Sequence, residues 1–468
     1  MSIKKFYATA DTTITNAYKE DLSTRATDSN MGLSDSLEVF FIYNQTGKAN
    51  PSAADKLEEA RILIKFDTDS IKSHYNNTFP TDVKFILKLA NAEHPFTLAR
   101  NYDVNVYALA EGFIEGNGLD MESYKDEDAA SWTNRIVSTA WTTAGALQGT
   151  ETLIGTQRFD TGGEGLEVDI TTHIQNVFDG TTDNGFAIIM DGALTSGAQE
   201  QNFYTKKFFS RSSEFFFKRP VIEARKSSFT GDDRGRLYKS SPLTANNEQN
   251  LYLYNTVSGA RENVTGAVTL QLFSDSAMTT SLGAAVAATN PETGVYKAAV
   301  TIADTVSVNT VYEKWVAAGT TTIKTGSIKL LTRTPEVNAG EIDYRIDITN
   351  MKPSYSRDET AKFRLYTRAK DWNPTIYTVA SKEVENLIVE KAYYKIVRLV
   401  DEETVIKYGI GTSGTNKEHT LISYDALGSY FDFDMSLLEK GYMYGIKVMF
   451  SINGELKEQP EIFKFRVD

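Results

Sequence analysis

Cysteine is absent from the 468 residues. That excludes disulfide stapling, thiol catalysis and cysteine-ligated metals together. Histidine is scarce: His74, His94, His173 and His419 are the only four. None stands at metal-ligand spacing from another, and no H-E-x-x-H occurs. No run approaches the ~18 to 20 apolar residues that a membrane helix needs. The opening MSIKKFYATADTTITN has lysines but no apolar stretch behind them, so we expect no secretory signal and synthesis in a cytoplasm. Cations are the minority, 49 Lys+Arg against 62 Asp+Glu, for a net charge of -13. Phosphate neutralisation needs the opposite balance, so neither nucleic acid nor a membrane surface is an expected partner. Proline is sparse, at 10 residues.

What is abundant is strand material. There are 24 Tyr and 25 Phe, the aromatic bias of pleated, half-buried surfaces. Period-two alternation recurs. In SLEVFFIY, Leu37, Val39, Phe41 and Tyr43 share a face; in ARILIKFD, Ile62, Ile64 and Phe66; in DVKFILKLAN, Val83, Phe85, Leu87 and Leu89. GLEVDIT places Leu166, Val168 and Ile170 opposite Glu167 and Asp169, and GFAIIMDG reads as a strand buried on both faces. TTHIQNVFDG predicts one short helix, with Ile174, Val177 and Phe178 at i, i+3, i+4, a threonine cap before them and Gly180 after.

The strand content predicts an all-β chain of several domains. The first spans residues 1–225. The polar, aperiodic stretch 226–242 reads as a linker. Short strands in LYLY, VTLQLFSD, GVYKAAVTIAD and IKTGSIKLLTR then predict a small β-sandwich over 243–334. Residues 335–468 read as a C-terminal β-sandwich. In it AYYKIVRLVDEETVIKYG forms two strands about a turn at Asp401 to Glu403, and Tyr442, Tyr444, Ile446, Val448, Phe450 and Ile452 share a face before an Asn453-Gly454 turn.

Few motifs carry chemistry. GIGTSG (Gly409, Gly411, Gly414) fits G-x-G-x-x-G, but TNKEHTLISYD after it is strand-like, so a hairpin loop fits better than a pyrophosphate site. Asp120, Glu122, Asp126, Glu127 and Asp128 could gather Ca²⁺, against a solvated acidic loop; no D-x-D-x-D-G loop is present. Trp132, Trp141 and Tyr124 could stack on sugar or serve packing. No G-x-S-x-G elbow or P-loop occurs, and no catalytic or cofactor-binding residue is assigned. The stretch KKFFSRSSEFFFKRPVIEARKS, Lys206–Ser227, concentrates aromatic and basic groups. Pro220 cannot donate to a ladder and belongs at a strand start or on an edge. The stretch therefore reads as a closing strand, with its aromatics mostly in the core and its basic groups on surface or loop.

An ordered set of segments resembles the DNRLRE-type β-sandwiches, jelly rolls related to carbohydrate-binding modules. These are ADTTITN, EARILIKFD, VNVYAL, WTNR and AWTTAGA, LEVDITTHIQNVFDGTTDNGFAIIM and FFSRSSEFFFKRPVIEA, covering Ser2 to Arg225. EGNGLDMESYKDEDAASWTNR and RPVIEARKSSFTGDDRG resemble a subgroup found in virion structural proteins of tailed bacteriophages. The later domains are similar to the immunoglobulin-like and fibronectin-type sandwiches that phages append to their particles.

The resemblance implies an N-terminal jelly-roll β-sandwich followed by two smaller immunoglobulin-like β-sandwiches. It also implies a non-enzymatic structural component of the virion, in tail, neck or capsid surface, made in the host cytoplasm. Such a protein would dock with other virion proteins as a homo-oligomer or symmetric array, with host-surface glycan as a further partner. It brings no catalytic residue with it. A cell-surface or secreted carbohydrate-binding protein is the alternative, and a hydrolase with an unmarked site a third reading.

Overall fold

The computed structural model describes the chain except residues 1, 44, 53, 94–97, 126–128, 148, 150, 192–202, 241–247, 333–342, 377–385, 412–417 and 453. Backbone contacts divide it into two units, Met1–Ser227 with Ile410–His419, and Ser228–Gly409 with Thr420–Asp468. Both are built of β-sheet, and the all-β sandwich reading holds. Among the described residues no helix is long and apolar enough to cross a membrane.

In the first unit the strands are β1 (Ile3–Thr15), β2 (Ser36–Tyr43), β3 (Leu57–Phe66), β4 (Val83–Leu89), β5 (Tyr102–Ala108), β6 (Asn134–Ile136), β7 (Thr139–Ala140), β8 (Leu153–Phe159), β9 (Leu166–Asp169), β10 (Phe186–Met190), β11 (Phe203–Phe209) and β12 (Val221–Lys226). The helices are α1 (Thr68–His74) and α2 (Thr171–Phe178). β1 belongs to two layers. Residues 3–7 pair with β12, which continues through β4 to β9. After a register shift between Ala8 and Ala10 it pairs with β3, and the second layer runs on through β10 and β5 to β8, with β2 and β11 beside it. A strand that changes layer at a bulge is a common way to close a sandwich corner.

The alternating faces read from sequence form the core between the layers. Leu37, Val39, Phe41, Ile62, Ile64, Phe66, Phe85, Leu87, Val104, Leu166, Phe186 and Ile222 are all buried in one cluster. Burying that many large side chains, at about 1.5–3 kcal/mol each, dominates the unit's stability. The opposite face of the second layer is covered too. Leu63, Ile14 and Ala187 pack under Leu109, Phe113, Ala130 and Trp141 from the long β5–β8 connection.

Two local expectations need correction. α2 starts at Ile170 without a side-chain cap. Thr171 Oγ1 instead donates to Asp169 and accepts the Phe85 N–H at 3.0 Å, tying the helix start to β4. α1 was not expected; Asp67 caps it by accepting the Ser70 N–H at 3.1 Å. Pro220 stands immediately before β12, at a strand start as its missing donor requires, and β12 itself is an interior strand between β1 and β4.

The second unit holds two sandwiches. In the first, Gln249–Tyr254, Val295–Val300 and Thr289–Glu292 form one sheet, and Val286–Ala287, Val268–Phe273, Thr310–Ala317 and Thr321–Lys329 the other. Trp315 is fully buried among Leu251, Leu270, Val311 and Ile328. In the second, Tyr344–Ile348, Thr360–Ala369, Gly428–Asp434 and Ser423–Asp425 face a sheet centred on Met443–Ile452. That central strand buries Tyr444, Ile446, Val448 and Phe450, while Tyr442 is exposed. Tyr394 stacks on Phe431 at 4.2 Å in the same core.

The segment read as a linker is not a loose tether where described. Residues Ser228 to Ser240 belong to the second unit, and Asp232, Asp233 and Leu237 are buried. Leu237 enters the core around Trp315, while Gly231 pairs with Tyr424 and Tyr238 with Leu331. The segment thus spans both sandwiches of this unit.

Candidate functional site

The stretch Lys206–Ser227 shows how its charges are used. Lys207 meets Glu38 at 2.5 Å, Lys226 meets Asp82 at 2.9 Å and Arg225 meets Glu223 at 2.6 Å. Lys5 and Lys88 also reach Glu223, at 3.6 and 3.4 Å. Burial alone would raise the Glu223 carboxyl, but Lys88, Lys5 and Arg225 hold it well below its ordinary range. Lys206 and Arg225 are both buried, contrary to a surface placement. The aromatics divide: Phe208 is core, Phe216 packs on Tyr7 at 4.9 Å, and Phe215 is exposed. Lys207, Arg225 and Lys226 already have carboxylate partners, an arrangement unsuited to holding phosphates.

Asp11, Glu115 and Arg211 come from three distant segments and meet. Glu115 forms a two-pronged ion pair with Arg211 and accepts the Asp11 N–H at 2.8 Å. Asp11 Oδ2 accepts the Arg211 N–H at 2.7 Å, while its buried Oδ1 has no hydrogen-bond partner among the described residues. Burial pushes the Asp11 carboxyl up to about 7, against the pull of the Arg211 amide. This node fixes the β5–β8 connection to the strand ends. Nothing in its geometry addresses a ligand.

The acidic loop is used structurally where described. Asp120 Oδ1 accepts the Glu122 and Ser123 N–H groups at 2.9 and 2.8 Å, and Glu122 accepts the Glu20 N–H at 2.6 Å. Asp126, Glu127 and Asp128 lie outside the described residues. Among the described residues no three His, Asp or Glu side chains gather as a metal site. Trp141 is core, its Nε1–H donating to the Ser131 carbonyl at 2.9 Å. Trp132 carries the Arg61 guanidinium over its ring at 4.8 Å, and Tyr124 is exposed. The three do not form a described aromatic platform. His94 and Gly414 also lie outside the described residues, and His74 packs against Phe6 and Tyr75.

One concavity stands out in the first unit, with a volume of about 590 Å³. Its walls are the end of β5 and the residues after it (Ala108, Leu109, Ala110), the approach to β8 (Glu151–Ile154), α2 with Asp169 before it, and the loop Thr181, Thr182, Asn184. α2 presents Thr172, His173 and Asn176 to it. His173 is buried, with Nε2 3.3 Å from Asp183 Oδ1 and its ring 4.9 Å from that of Phe186. Asn184 Nδ2 donates to the Ala110 carbonyl at 2.9 Å, which orients its amide. Burial works against ionisation of Asp169, but Thr171 and Lys84 hold its carboxyl below the ordinary value. Thr172, Asn176, Thr181 and Thr182 are exposed, and Leu153 offers an aliphatic rim.

The groove therefore offers amide and hydroxyl groups beside aliphatic surface, with the Asp169 and Glu151 carboxyls in its lining, a mixture suited to a polar ligand that is not an anion. No lining hydroxyl hydrogen-bonds His173 among the described residues, so no nucleophile–base pair is assembled there. Sequence reasoning had placed His173 and Asn176 in a helix but not in a groove. The adjacency of that helix to residues 108–110 and 151–154 is long-range and leaves no local signal.

No protein-family model matches the chain, and no curated protein does. Among solved structures, a titin structure aligns with 50% of this chain and 94% of its own at 9% identity and a TM-score of 0.15. A marsupial T cell receptor aligns with 50% of this chain and 71% of its own at 8% identity and 0.17. A Ca²⁺-stabilised adhesin with which an Antarctic bacterium binds ice aligns with 98% of this chain and all of its own at 12% identity and 0.14. Superpositions this loose carry no argument about function, and the sandwich assignment rests on the sheets themselves.

Proposed function

We propose that this chain is a non-enzymatic structural component of a tailed bacteriophage particle, in tail, neck or capsid surface, which acts by docking in multiple copies. The motif resemblance of residues 2–225 points there. The observation that carries the reading is the serial arrangement of sandwiches in the second unit, braced by the Ser228–Ser240 segment. A braced pair of small sandwiches suits reach and contact better than turnover. Each contact surface on such a module is modest, and a symmetric array multiplies it through effective concentration. Mass spectrometry of purified particles from the phage that encodes the chain tests the reading. The chain is expected at fixed stoichiometry; its absence from clean particles overturns the proposal.

A second reading, carbohydrate binding at a bacterial surface, is favoured by the groove beside α2. A glycan array probed with the purified chain and with Asn176→Ala tests it. Binding that the substitution removes supports it, and no binding by the parent chain rejects it.

A further inference from the structure

Lys206 is a buried cation in an aromatic setting. Its Nζ lies 5.1 Å from the Phe159 ring centre and 5.3 Å from that of Phe208. Phe159 stacks on Tyr102 at 5.3 Å, and Tyr102 on Tyr204 at 5.5 Å. Two oxygens accept from the amine: Asn91 Oδ1 at 2.5 Å and the Gly162 carbonyl at 2.7 Å. No carboxylate forms an ion pair with Lys206 among the described residues, although Glu164 acts on it electrostatically. Glu164 Oε2 and the Tyr102 hydroxyl are both buried without a hydrogen-bond partner among the described residues, and Glu164 acts on Tyr102 as well.

The backbone holds this constellation in place. Ala92 N–H donates to the Lys207 carbonyl at 3.0 Å and Phe209 N–H to the Ala90 carbonyl at 3.1 Å, so Asn91 stands opposite Phe208. Lys206 is then the diagonal neighbour of Asn91 on the same face, within reach of a long side chain. Gly162 adopts φ +82, and a Cβ there would stand 2.2 Å from the Ala99 carbonyl oxygen. Only glycine lets the loop press in and aim its carbonyl at the amine. The amine nitrogen is hydrogen-bonded to the carboxamide oxygen, and the carboxamide carbon is one C=O bond, about 1.2 Å, beyond that oxygen. Such proximity makes aminolysis effectively unimolecular.

We propose that Lys206 and Asn91 form an intramolecular isopeptide bond, a covalent staple between β11 and the end of β4 in a chain that has no cysteine. The lysine ammonium first gives up a proton to solvent, near its own lowered value. The free Nζ lone pair attacks Asn91 Cγ and a C–N bond forms. The Cγ–Nδ2 bond then breaks, and ammonia leaves with the protons released from Nζ. Overall, one ammonium and one carboxamide become one secondary amide and one ammonium ion, with no oxidant or cofactor. Burial supports the first step: it pushes the Lys206 ammonium down to about 8, against the pull of the Glu164 carboxylate, which makes the free amine accessible near pH 8. The staple would join the two layers through residues 115 apart in sequence.

Intact-mass measurement of the full chain, purified under native conditions and incubated at pH 8, tests this. One ammonia, about 17 Da, should be missing from the sequence mass. A peptide map should recover the Asn91 and Lys206 peptides as one branched species. That map separates the cross-link from ammonia lost by cyclisation of some other asparagine. Lys206→Arg should show the full sequence mass. Asn91→Asp should keep the branch but lose water, about 18 Da, in place of ammonia. An unshifted mass in the folded parent chain, or a shifted mass with no branched peptide, overturns the proposal without any variant having to fold.

Discussion

Asp11 is the residue whose environment most contradicts its chemistry. It is 1% exposed, its Oδ1 has no hydrogen-bond partner among the described residues, and burial lifts its carboxyl from 3.8 to about 7. The direction of the pH effect follows. Between about pH 4 and pH 7 the folded chain binds this proton more tightly than the unfolded chain does. Stability from this group is therefore greatest at low pH, falls as pH rises through that window, and stays low above it. Asn at this position cannot ionise. Asp11→Asn should leave stability near pH 4 little changed and raise that of the first unit at pH 8 by roughly 2–4 kcal/mol. Denaturant titrations of both chains across pH 4–8 should give curves that converge at the acid end. Convergence at the alkaline end instead would mean that the Arg211 cation governs the site. None of this was legible beforehand. Asp11 sits in ADTTITN and its partners lie 104 and 200 residues away, so the sequence shows a polar strand residue and nothing of its burial.

At the scale of elements, strands declared themselves where one face is apolar and hid where a buried charge interrupts the pattern. Ile62, Ile64 and Phe66 alternate cleanly, and all three are core. Thr310–Ala317 was missed because Glu313 occupies the inward face between Val311 and Trp315. That glutamate explains the supposed linker. Arg234 Nε and Nη2 donate to its two oxygens at 3.1 and 2.7 Å, and Trp315 Nε1–H donates to it at 2.8 Å. Burial opposes ionisation of Glu313, but Arg234 holds the carboxyl below its usual value. A neighbouring contact joins Asp233 to the Tyr424 hydroxyl at 3.2 Å. Polarity therefore marked residues 226–242 as a linker, when part of that polarity is paired and buried. Arg234→Ala leaves buried Glu313 with Lys324 as its remaining cation, at 3.5 Å, and takes from buried Asp232 its Arg234 partner. It should cost the second unit about 3–5 kcal/mol. The double change Arg234→Met, Glu313→Leu should restore part of this, short of the losses of an acceptor for Trp315 and of the Arg234 partner of Asp232. Chemical denaturation of the parent, Arg234→Met, Glu313→Leu and the double variant closes a cycle that measures the coupling. Trypsin should also leave Arg234 and Arg236 uncut in the folded chain; rapid cleavage there would reinstate the linker.

At the scale of the molecule, the all-β class followed from composition and alternation, but the order of strands within the sheets did not. Ladder partners are chosen by shape and hydrogen bonding over the whole chain, and one strand carries no label for its neighbour. β12 is the informative case. Its sequence, with a proline before it and charges at Glu223 and Arg225, resembles an edge. It nevertheless runs between β1 and β4, and Ile222 and Ala224 lie in the core. The charges tolerate that position because Glu223 is surrounded by Lys5, Lys88 and Arg225. An interior strand cannot be removed from a sandwich without exposing two ladders and a stripe of apolar surface. A fragment of residues 1–227 has a core of its own and should fold, with a cooperative melt. A fragment of residues 1–219, only eight residues shorter, should not: it leaves β1 and β4 unpaired on facing edges and removes Ile222 from between them. Solubility and near-ultraviolet circular dichroism of the two fragments make the comparison. Equal folding of both would show that β12 is dispensable and that the layer closes without it. The intermediate truncation at Ala224, which keeps Ile222 and most of the ladder, should fall between them in melting temperature. A graded series of that kind distinguishes loss of an interior strand from simple shortening of the chain.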